Sequence, residues 1–359
     1  MTPAQPLAFQ HAVRSERDDA SRLREQTSGA QVGTPRVAAC RVLVISQRFD
    51  PHADVVVAAL ERRGAAAVRV NTDDLHGYAV RWDSETGGIV IRGAAGLCVD
   101  MHDVRSCYFR PSATPSTHPD LEVPGAAAFS AQEADAFVQG LYALPGVRWI
   151  SPPHLVERAA AKVGQLAVAK QVGLTVPRTV VTNDPAEARA FAASIDGDIV
   201  VKALGATSVE AGAYRFAVAA QRLSSTELME HADAVRLAPT VLQEHIAKDS
   251  EVRVTVIGED VFAVELTSLG DDAPVDWTRV DPSRLAYAPV SLSHALEERI
   301  RAFLAWYQLP FGALDFLRLG DGNLAFMENN PNGAWYWLEL ATGLPLAESM
   351  GRLLTGGDT

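Results

Sequence analysis

The chain has 359 residues, of which 48% are hydrophobic, so it is long enough for two or three packed units with sizeable cores. A formal net charge of −12 argues against a general nucleic-acid-binding surface. We expect no membrane partner and a cytoplasmic location, because the sequence has no spanning apolar run and no signal-peptide core, and its 3 cysteines are scattered.

The first part of the chain predicts an extension followed by an N-terminal α/β domain at residues 40–150. Residues 1–36 are charged or rich in Ser, Gly and Gln and lack an apolar stripe, which predicts a disordered extension. Residues 41–46 form a short β-branched run, residues 54–63 have helical spacing, and residues 66–70 form a second apolar run. This order predicts a parallel sheet with a right-handed crossover.

Arg110 stands at the end of a predicted strand over residues 104–110. At the edge of a parallel sheet such an arginine either binds an anion of the substrate or pairs with an acid on the surface. No glycine-rich phosphate motif follows the first strand, so a dinucleotide site is not expected there. Both interpretations of Arg110 remain open from the sequence alone.

A central subdomain is predicted at residues 151–245. Leu155 to Gly173 has helical spacing and carries Lys162. Lys202 lies on an apolar strand, where a lysine either extends its ammonium to the surface or contacts nucleotide phosphates. Another apolar strand ends at Gln243 and Glu244, whose backbone groups are candidates for an adenine edge.

Residues 246–355 are predicted to form a C-terminal subdomain of antiparallel strands. Alternation along the strand that follows Ser250 places Glu251 and Arg253 on one face. They either form an ion pair along the strand, or Arg253 reaches a transferring phosphoryl group or an acyl-phosphate oxyanion.

The most informative segment is a predicted hairpin from Ala313 to Gly333. Asp321-Gly322 is a strong signal for a two-residue type I′ turn, in which Gly320 faces Asn323. Counting back along both strands places Asp315 opposite Glu328, and Asn330 on the same face as Glu328.

Two carboxylates that face each other among apolar neighbours are costly unless a cation lies between them. Mg²⁺ takes few protein carboxylates and completes its shell with water and nucleotide phosphates. The hairpin therefore predicts a metal site made by Asp315, Glu328 and Asn330 in an ATP-using enzyme. The alternative is a surface hairpin with scattered acids, against which the apolar residues on both faces argue.

The order of these residues resembles the ATP-grasp layout, and most closely the graspetide (microviridin-type) maturases, which are ligases that modify ribosomal peptides. The resemblance covers roughly residues 40–355. The segments that carry it are Val180–Pro185, Val200–Leu204, Arg253–Gly258, Asp276-Trp277, Glu328–Trp335 and Leu338–Pro345.

The resemblance implies an ATP-grasp α/β fold with a parallel N-terminal (pre-ATP-grasp) domain, a small central α+β domain and a C-terminal antiparallel-sheet domain. It implies an ATP- and Mg²⁺-dependent ligase that macrocyclises a precursor peptide, made of a leader and a core with Asp/Glu and Ser/Thr/Lys residues, through an acyl phosphate. It also implies a homodimer. The implied roles are catalysis by Arg253 and Lys202, nucleotide binding by Lys162, Lys202, Gln243, Glu244 and Glu251, and metal binding by Asp315, Glu328 and Asn330. Arg110, from its place at the sheet edge, is a separate candidate for a substrate contact.

Some residues depart from the family pattern. Glu251 stands where an Asp is usual, Asn329 replaces an aliphatic residue, and residues 213–219 match the leader-binding region only loosely. Two other functions stay open, a ligase for small amino-acid-type substrates and a nucleotide-binding relative without catalysis. The intact set of both lysines and the metal-site residues argues against the second.

Overall fold

The computed structural model describes residues 41–110, 118, 120–121, 124–142, 144, 146–205, 208–211, 214–269 and 284–356. The predicted extension at residues 1–36 and the Asp276-Trp277 motif lie outside these residues. Within the described ranges, a parallel sheet is followed by antiparallel sheets and their helices, which confirms the predicted α/β class. None of the helices described is both long and apolar enough to cross a bilayer.

The N-terminal part is built on a parallel sheet with the strand order β2-β1-β6-β7. Beside it, β3, β4 and β5 form a separate antiparallel sheet. The elements are β1 (Val42–Ser46), α1 (Pro51–Arg62), β2 (Ala67–Asn71), β3 (Ala79–Trp82), β4 (Ile89–Arg92), β5 (Cys98–Asp100), β6 (Ser106–Phe109), α2 (Pro124–Leu141) and β7 (Arg148–Ile150). The β1–α1–β2 unit confirms the predicted β-α-β start.

Helix α1 begins at the end of β1 because the local sequence caps it. The Asp50 side chain accepts a hydrogen bond from the His52 backbone N–H at 3.0 Å, and Pro51 occupies the first helical turn, where its missing N–H costs nothing. The cap places Asp50 and His52 at the edge of the sheet where β1 and β6 end. Ligand sites of parallel α/β sheets lie at this edge.

The central part is an antiparallel sheet with the strand order β12-β9-β13-β8, flanked by helices. Strands β10 and β11 form a separate hairpin. The elements are α3 (Pro153–Ala160), α4 (Lys162–Gln171), β8 (Thr179–Thr182), α5 (Pro185–Ser194), β9 (Asp198–Lys202), β10 (Ser208–Ala211), β11 (Tyr214–Ala217), β12 (Gln221–Ser224), α6 (Ser225–His231) and β13 (Thr240–Glu244).

The predicted single helix from Leu155 to Gly173 is two helices in the structure. Ala161 has an extended backbone with ψ of 105°, so α3 ends before it and α4 begins at Lys162. Neither Pro nor Gly marks this break, which is why the helical spacing alone did not reveal it. The break places Lys162 in the first turn of α4, and Gln165 one turn later on the same helix.

The C-terminal part is an antiparallel sheet with the order β16-β15-β14-β17-β18. Its elements are β14 (Ser250–Ile257), β15 (Asp260–Ser268), β16 (Leu285–Pro289), α7 (His294–Trp306), β17 (Phe311–Arg318), β18 (Leu324–Asn330), α8 (Tyr336–Thr342) and α9 (Leu346–Thr355). The turn between β14 and β15 is made at Gly258, which lies in the left-handed region at φ of +59°.

This sheet is buried on both faces, as its nearly continuous apolar strands require. One face packs against α7 through residues such as Val254, Phe303 and Phe316. The opposite face joins Ala313 and Trp335 to the apolar residues of β1, α1 and α9 in one cluster. Trp335 is completely buried there. The N-terminal and C-terminal sheets are therefore packed together through this cluster, to which the segment after β18 contributes Trp335.

Candidate active site

The β17–β18 hairpin closes differently from the predicted two-residue turn. The Leu319 N–H donates to Asn323 O at 2.9 Å, so Gly320, Asp321 and Gly322 form the loop, with Gly322 at φ of +81°. Arg318 is then paired with Leu324, one residue out of the predicted register. The turn prediction was wrong by one residue.

A β-bulge corrects the register before the site is reached. Phe316 pairs with Phe326, but the next residue, Asp315, pairs with Glu328, so Met327 is the additional residue on β18. The bulge lets Phe326 and Glu328 point to opposite faces, although regular alternation would put them on the same one. Phe326 can thus be fully buried against α7 while Glu328 faces the cleft. Asp315 lies opposite Glu328, as the sequence predicted.

The structure brings the three predicted metal ligands together. Asn330 Nδ2 donates to Asp315 Oδ2 at 3.1 Å and lies 3.4 Å from Glu328 Oε1. Two carboxylates and one amide on adjacent strands are a hard oxygen donor set, which is the set that Mg²⁺ takes in proteins. The residues therefore fit a magnesium ion, and their role as ligands stays a prediction.

Arg253 is the cation beside this group in the structure. Arg253 on β14 lies directly opposite Asp315 on β17, and its Nη1 donates to Asp315 Oδ2 at 2.6 Å. The second nitrogen, Nη2, donates to Ala334 O at 3.2 Å. Arg253 is only 4% exposed. The interpretation of Arg253 and Glu251 as an ion pair along β14 is wrong, because Glu251 pairs with Lys248 and Arg253 with Asp315.

Three of the predicted nucleotide-binding residues, Lys162, Lys202 and Gln243, line a cleft between the central sheet and β18. Glu244 and Glu251 are not among the residues that line it. Its lining residues are Lys162, Val163, Gln165, Leu166, Val181, Lys202, Leu204, Val241, Gln243, Met327 and Glu328. Lys162 Nζ donates to Ala203 O at 3.2 Å, and Lys202 Nζ donates to Gln243 Oε1 at 2.8 Å. The two lysines therefore share one cleft with a predicted metal ligand, in a wall of mainly apolar side chains. Such a wall suits a nucleotide base, and contact of the two lysines with its phosphates stays a prediction.

Strand β13, which ends at Gln243 and Glu244, is hydrogen-bonded to β8 and the residue before it. Gln243 is buried, and its Nε2 donates to Thr179 Oγ1 at 2.9 Å. The Glu244 N–H donates to Arg178 O at 2.9 Å. The backbone contact predicted for Glu244 with an adenine edge would accordingly use its carbonyl group.

Arg110 faces a buried acid and not a surface acid. Its Nε donates to Asp50 Oδ2 at 3.3 Å, and its Nη1 donates to the carbonyl oxygens of Asn332 at 3.0 Å and Gly333 at 3.3 Å. Asp50 is only 6% exposed. Burial opposes the charge of Asp50, but hydrogen bonds from His52 and Ser46 and the charge of Arg110 hold the Asp50 pKa well below its usual range.

His52 completes this cluster. Its Nε2 accepts the Trp335 backbone N–H at 3.0 Å, and its Nδ1 lies 3.2 Å from Asp50 Oδ1, so the neutral ring donates to the carboxylate. Burial lowers the pKa of His52, Asp50 opposes that shift, and Arg110 adds to it. The Trp335 indole N–H donates to Tyr108 Oη at 3.3 Å. Together these contacts hold residues 332–335, which we call the 332–335 loop.

Sequence reasoning missed Asp50 and His52 and gave no role to Gln165 or Asn332. A signal for the first two was present, since Asp50-Pro51 begins a helix at the carboxyl end of the first parallel strand. Gln165 and Asn332 offered none, because Gln165 bonds the backbone of Asn329, 164 positions away, and Asn332 bonds the backbone of Phe109, 223 positions away.

No protein-family model and no curated protein sequence matches the chain. Several solved structures are similar to it. The macrocyclase MdnB from Microcystis aeruginosa MRC is 28% identical, with a TM-score of 0.71, over 89% of this chain and 100% of that chain. A Chryseobacterium gregarium RiPP-associated ATP-grasp ligase, in complex with ADP and a leader and core peptide, is 23% identical, with a TM-score of 0.78, over 88% and 97%.

The ATP-grasp ligase PsnB, complexed with minimal precursor, Mg and ADP, is 19% identical, with a TM-score of 0.68, over 91% of this chain and 99% of that chain. These likenesses confirm the ATP-grasp fold and the resemblance to ligases of ribosomal peptides that the motif order indicated. They extend over almost the full length of each of the three structures.

Proposed function

We propose that this chain is an ATP-dependent ligase that closes rings in a ribosomally made peptide by joining side chains through ester or amide bonds. The observation that carries the proposal is the cleft that Lys162, Lys202 and Glu328 share, with Arg253 bonded to Asp315, the residue that lies opposite Glu328. The similarity to a macrocyclase over the full length of that protein supports the same conclusion.

The reaction has two steps. A side-chain carboxylate of the peptide attacks the terminal phosphorus of ATP, which gives an acyl phosphate and ADP. A hydroxyl or amine of the same peptide then attacks the acyl carbon, loses its proton and expels phosphate. The net change in the peptide is the loss of one water for each ring. Phosphorylation is needed because a free carboxylate is a poor electrophile.

Each of the predicted site residues has its own role in these two steps. Lys162 and Lys202 offset the negative charge of the phosphates as compact point charges. Asp315, Glu328 and Asn330 would hold Mg²⁺, which neutralises charge on the transferring phosphoryl group when it is bound. Arg253 presents a guanidinium, oriented by Asp315 and Ala334, to charge that develops on the acyl phosphate.

The partner in this proposal is a precursor peptide with a leader and an acidic core. Arg110 is a weaker candidate for a substrate contact than the sequence indicated, since Asp50 and the 332–335 loop already take its donors. A homodimer and the division into domains at residues 150 and 245 also belong to the proposal.

The test is the intact mass of a precursor peptide incubated with the protein, ATP and Mg²⁺. The candidate peptide is to be sought in a short neighbouring reading frame rich in Thr, Asp and Glu. We expect loss of one or more waters, abolished in Glu328→Ala and retained in Glu259→Ala, whose carboxylate is fully exposed. An unchanged peptide, with ADP released only when free amino acids are added, would show a ligase of small molecules.

A further inference from the structure

The outer edge of β18 is covered by groups that replace a neighbouring strand. Its Phe326 N–H donates to Thr175 O at 2.7 Å. Further along, the Asn329 N–H donates to Gln165 Oε1 at 2.7 Å, and Gln165 Nε2 donates to Asn329 O at 2.8 Å. One side-chain amide therefore bonds both backbone groups of Asn329, in the way that a strand residue would.

The Gln165 amide is fully committed to this contact. Its Nε2 also donates to Ala159 O at 2.6 Å, so both N–H groups and the oxygen are paired. Gln165 is only 2% exposed, and water therefore has no access to take over these bonds. Loss of the amide would leave the backbone groups of Asn329 buried and unpaired, a state that proteins avoid.

Asn329 lies between the two predicted metal ligands of β18, Glu328 and Asn330. Gln165 therefore fixes the backbone at the point where those side chains leave the strand. The bulge at Met327 interrupts the ladder to β17 directly before Glu328, and the Gln165 bonds hold β18 from its other edge just beyond that interruption.

The same helix carries Lys162. Lys162 and Gln165 lie one turn apart on α4, and Lys162 Nζ reaches the central sheet at Ala203 O. Helix α4 is thus attached to the central sheet by one side chain and to β18 by the other. Both side chains, together with Glu328, line the cleft.

We propose that Gln165 is a positioning residue that sets the spacing between Lys162 and the metal-binding residues Glu328 and Asn330. The inference rests on the proposed function, since it assumes that these residues hold the phosphates and Mg²⁺. Gln165 touches neither group itself. It acts by keeping α4 and β18 in one rigid unit, so that nucleotide and metal bind to a site with fixed dimensions.

The test is calorimetric binding of ADP to the full chain at a series of Mg²⁺ concentrations. Gln165→Met keeps the length of the side chain and removes its hydrogen bonds. The control is Gln171→Met, the same change at an exposed position of α4. We expect Gln165→Met to raise the Mg²⁺ concentration for half-maximal ADP binding about tenfold, and Gln171→Met to leave it unchanged.

If Gln165→Met fails to fold, Gln165→Asn is the milder variant, since it keeps an amide but shortens its reach. A lower melting temperature with an unchanged Mg²⁺ dependence of ADP binding, in whichever variant folds, would overturn the proposal and leave Gln165 a purely structural residue. The peptide is absent from this assay. A wild-type protein that binds ADP with Mg²⁺ but cyclises no peptide would therefore refute the proposed function and not the role of Gln165.

Discussion

Arg253 and Asp315 are bonded across neighbouring strands, with Nη1 and Oδ2 2.6 Å apart and both side chains largely buried. Asp315 therefore faces a guanidinium on one side and Glu328 on the other. Its carboxylate is the group through which the predicted catalytic arginine and the predicted metal ligands affect each other.

Removal of the guanidinium should separate catalysis from nucleotide binding. We expect Arg253→Ala to lower peptide turnover about 100-fold or more, because one preorganised donor at a developing negative charge contributes that much. Binding of ADP should change little, and the Mg²⁺ requirement should fall, since Asp315 loses a competing cation. Single-turnover rates and ADP titrations check this, and a parallel loss of ADP affinity would contradict it.

Gly333 leaves the space that Arg253 occupies. A Cβ atom at this position would lie 2.8 Å from Arg253 Nη2 and 2.9 Å from Asn330 Cβ, so one of these side chains must move. We expect Gly333→Ala to lower peptide turnover at least tenfold, because small errors in position are costly in catalysis. Gly320→Ala is the control, since a Cβ there meets open space. Equal activity of both variants would show that Arg253 tolerates the shift.

His52 should make stability depend on pH. Burial lowers the pKa of His52 below its usual 6.5, so the folded protein keeps the ring neutral while the unfolded chain titrates near 6.5. The unfolded state then binds more protons, and the free energy of unfolding falls as pH drops below about 6.5. One such group changes the free energy of unfolding by at most about 1.4 kcal/mol per pH unit.

His52→Gln is the matched variant, because a glutamine oxygen can accept the Trp335 N–H without titrating. Urea unfolding at pH 7.5 and 5.5 should show a flatter dependence in the variant. Burial also lowers the pKa of His245, but that residue is present in both proteins and cancels in the comparison. Identical pH slopes would rule out His52 as the source.

Asn329 offers a site for stabilisation. Its side-chain nitrogen and oxygen are buried and have no hydrogen-bond partner among the described residues. Asn329→Leu has a similar shape, keeps the backbone bonds to Gln165 and removes the unpaired groups. We expect the free energy of unfolding to rise by about 1 kcal/mol or more, measured by urea titration. The exposed Asn323→Leu change, which loses a bond to Asp321, should give no gain.

Signals between close neighbours in the chain were sufficient to predict much of the fold. The β1–α1–β2 unit depends on two short apolar runs and one helical segment, each made of residues within a few positions of one another. The family motifs extended this to the fold as a whole. The break at Ala161 was missed, because alanine is the best helix former and carries no sign of a helix end.

The contacts inside the site could not be predicted in the same way. Alternation places Arg253 on a face of β14, but only the strand order shows that β17 is the neighbour that brings Asp315, 62 positions away. Asp50 and Arg110 meet across 60 positions for the same reason. The position of Asp315 opposite Glu328 was predicted with the wrong turn, and the bulge at Met327 cancelled the error.

Because of that bulge, the loop end of the hairpin can be altered independently of the end that carries the site residues. Between the turn and Met327 the strands are positioned by the buried pair Phe316 and Phe326, and beyond it by Gln165 and Arg253. The exposed loop of Gly320, Asp321 and Gly322 can therefore take an inserted peptide tag, while the residues on the other side of the bulge keep their positions.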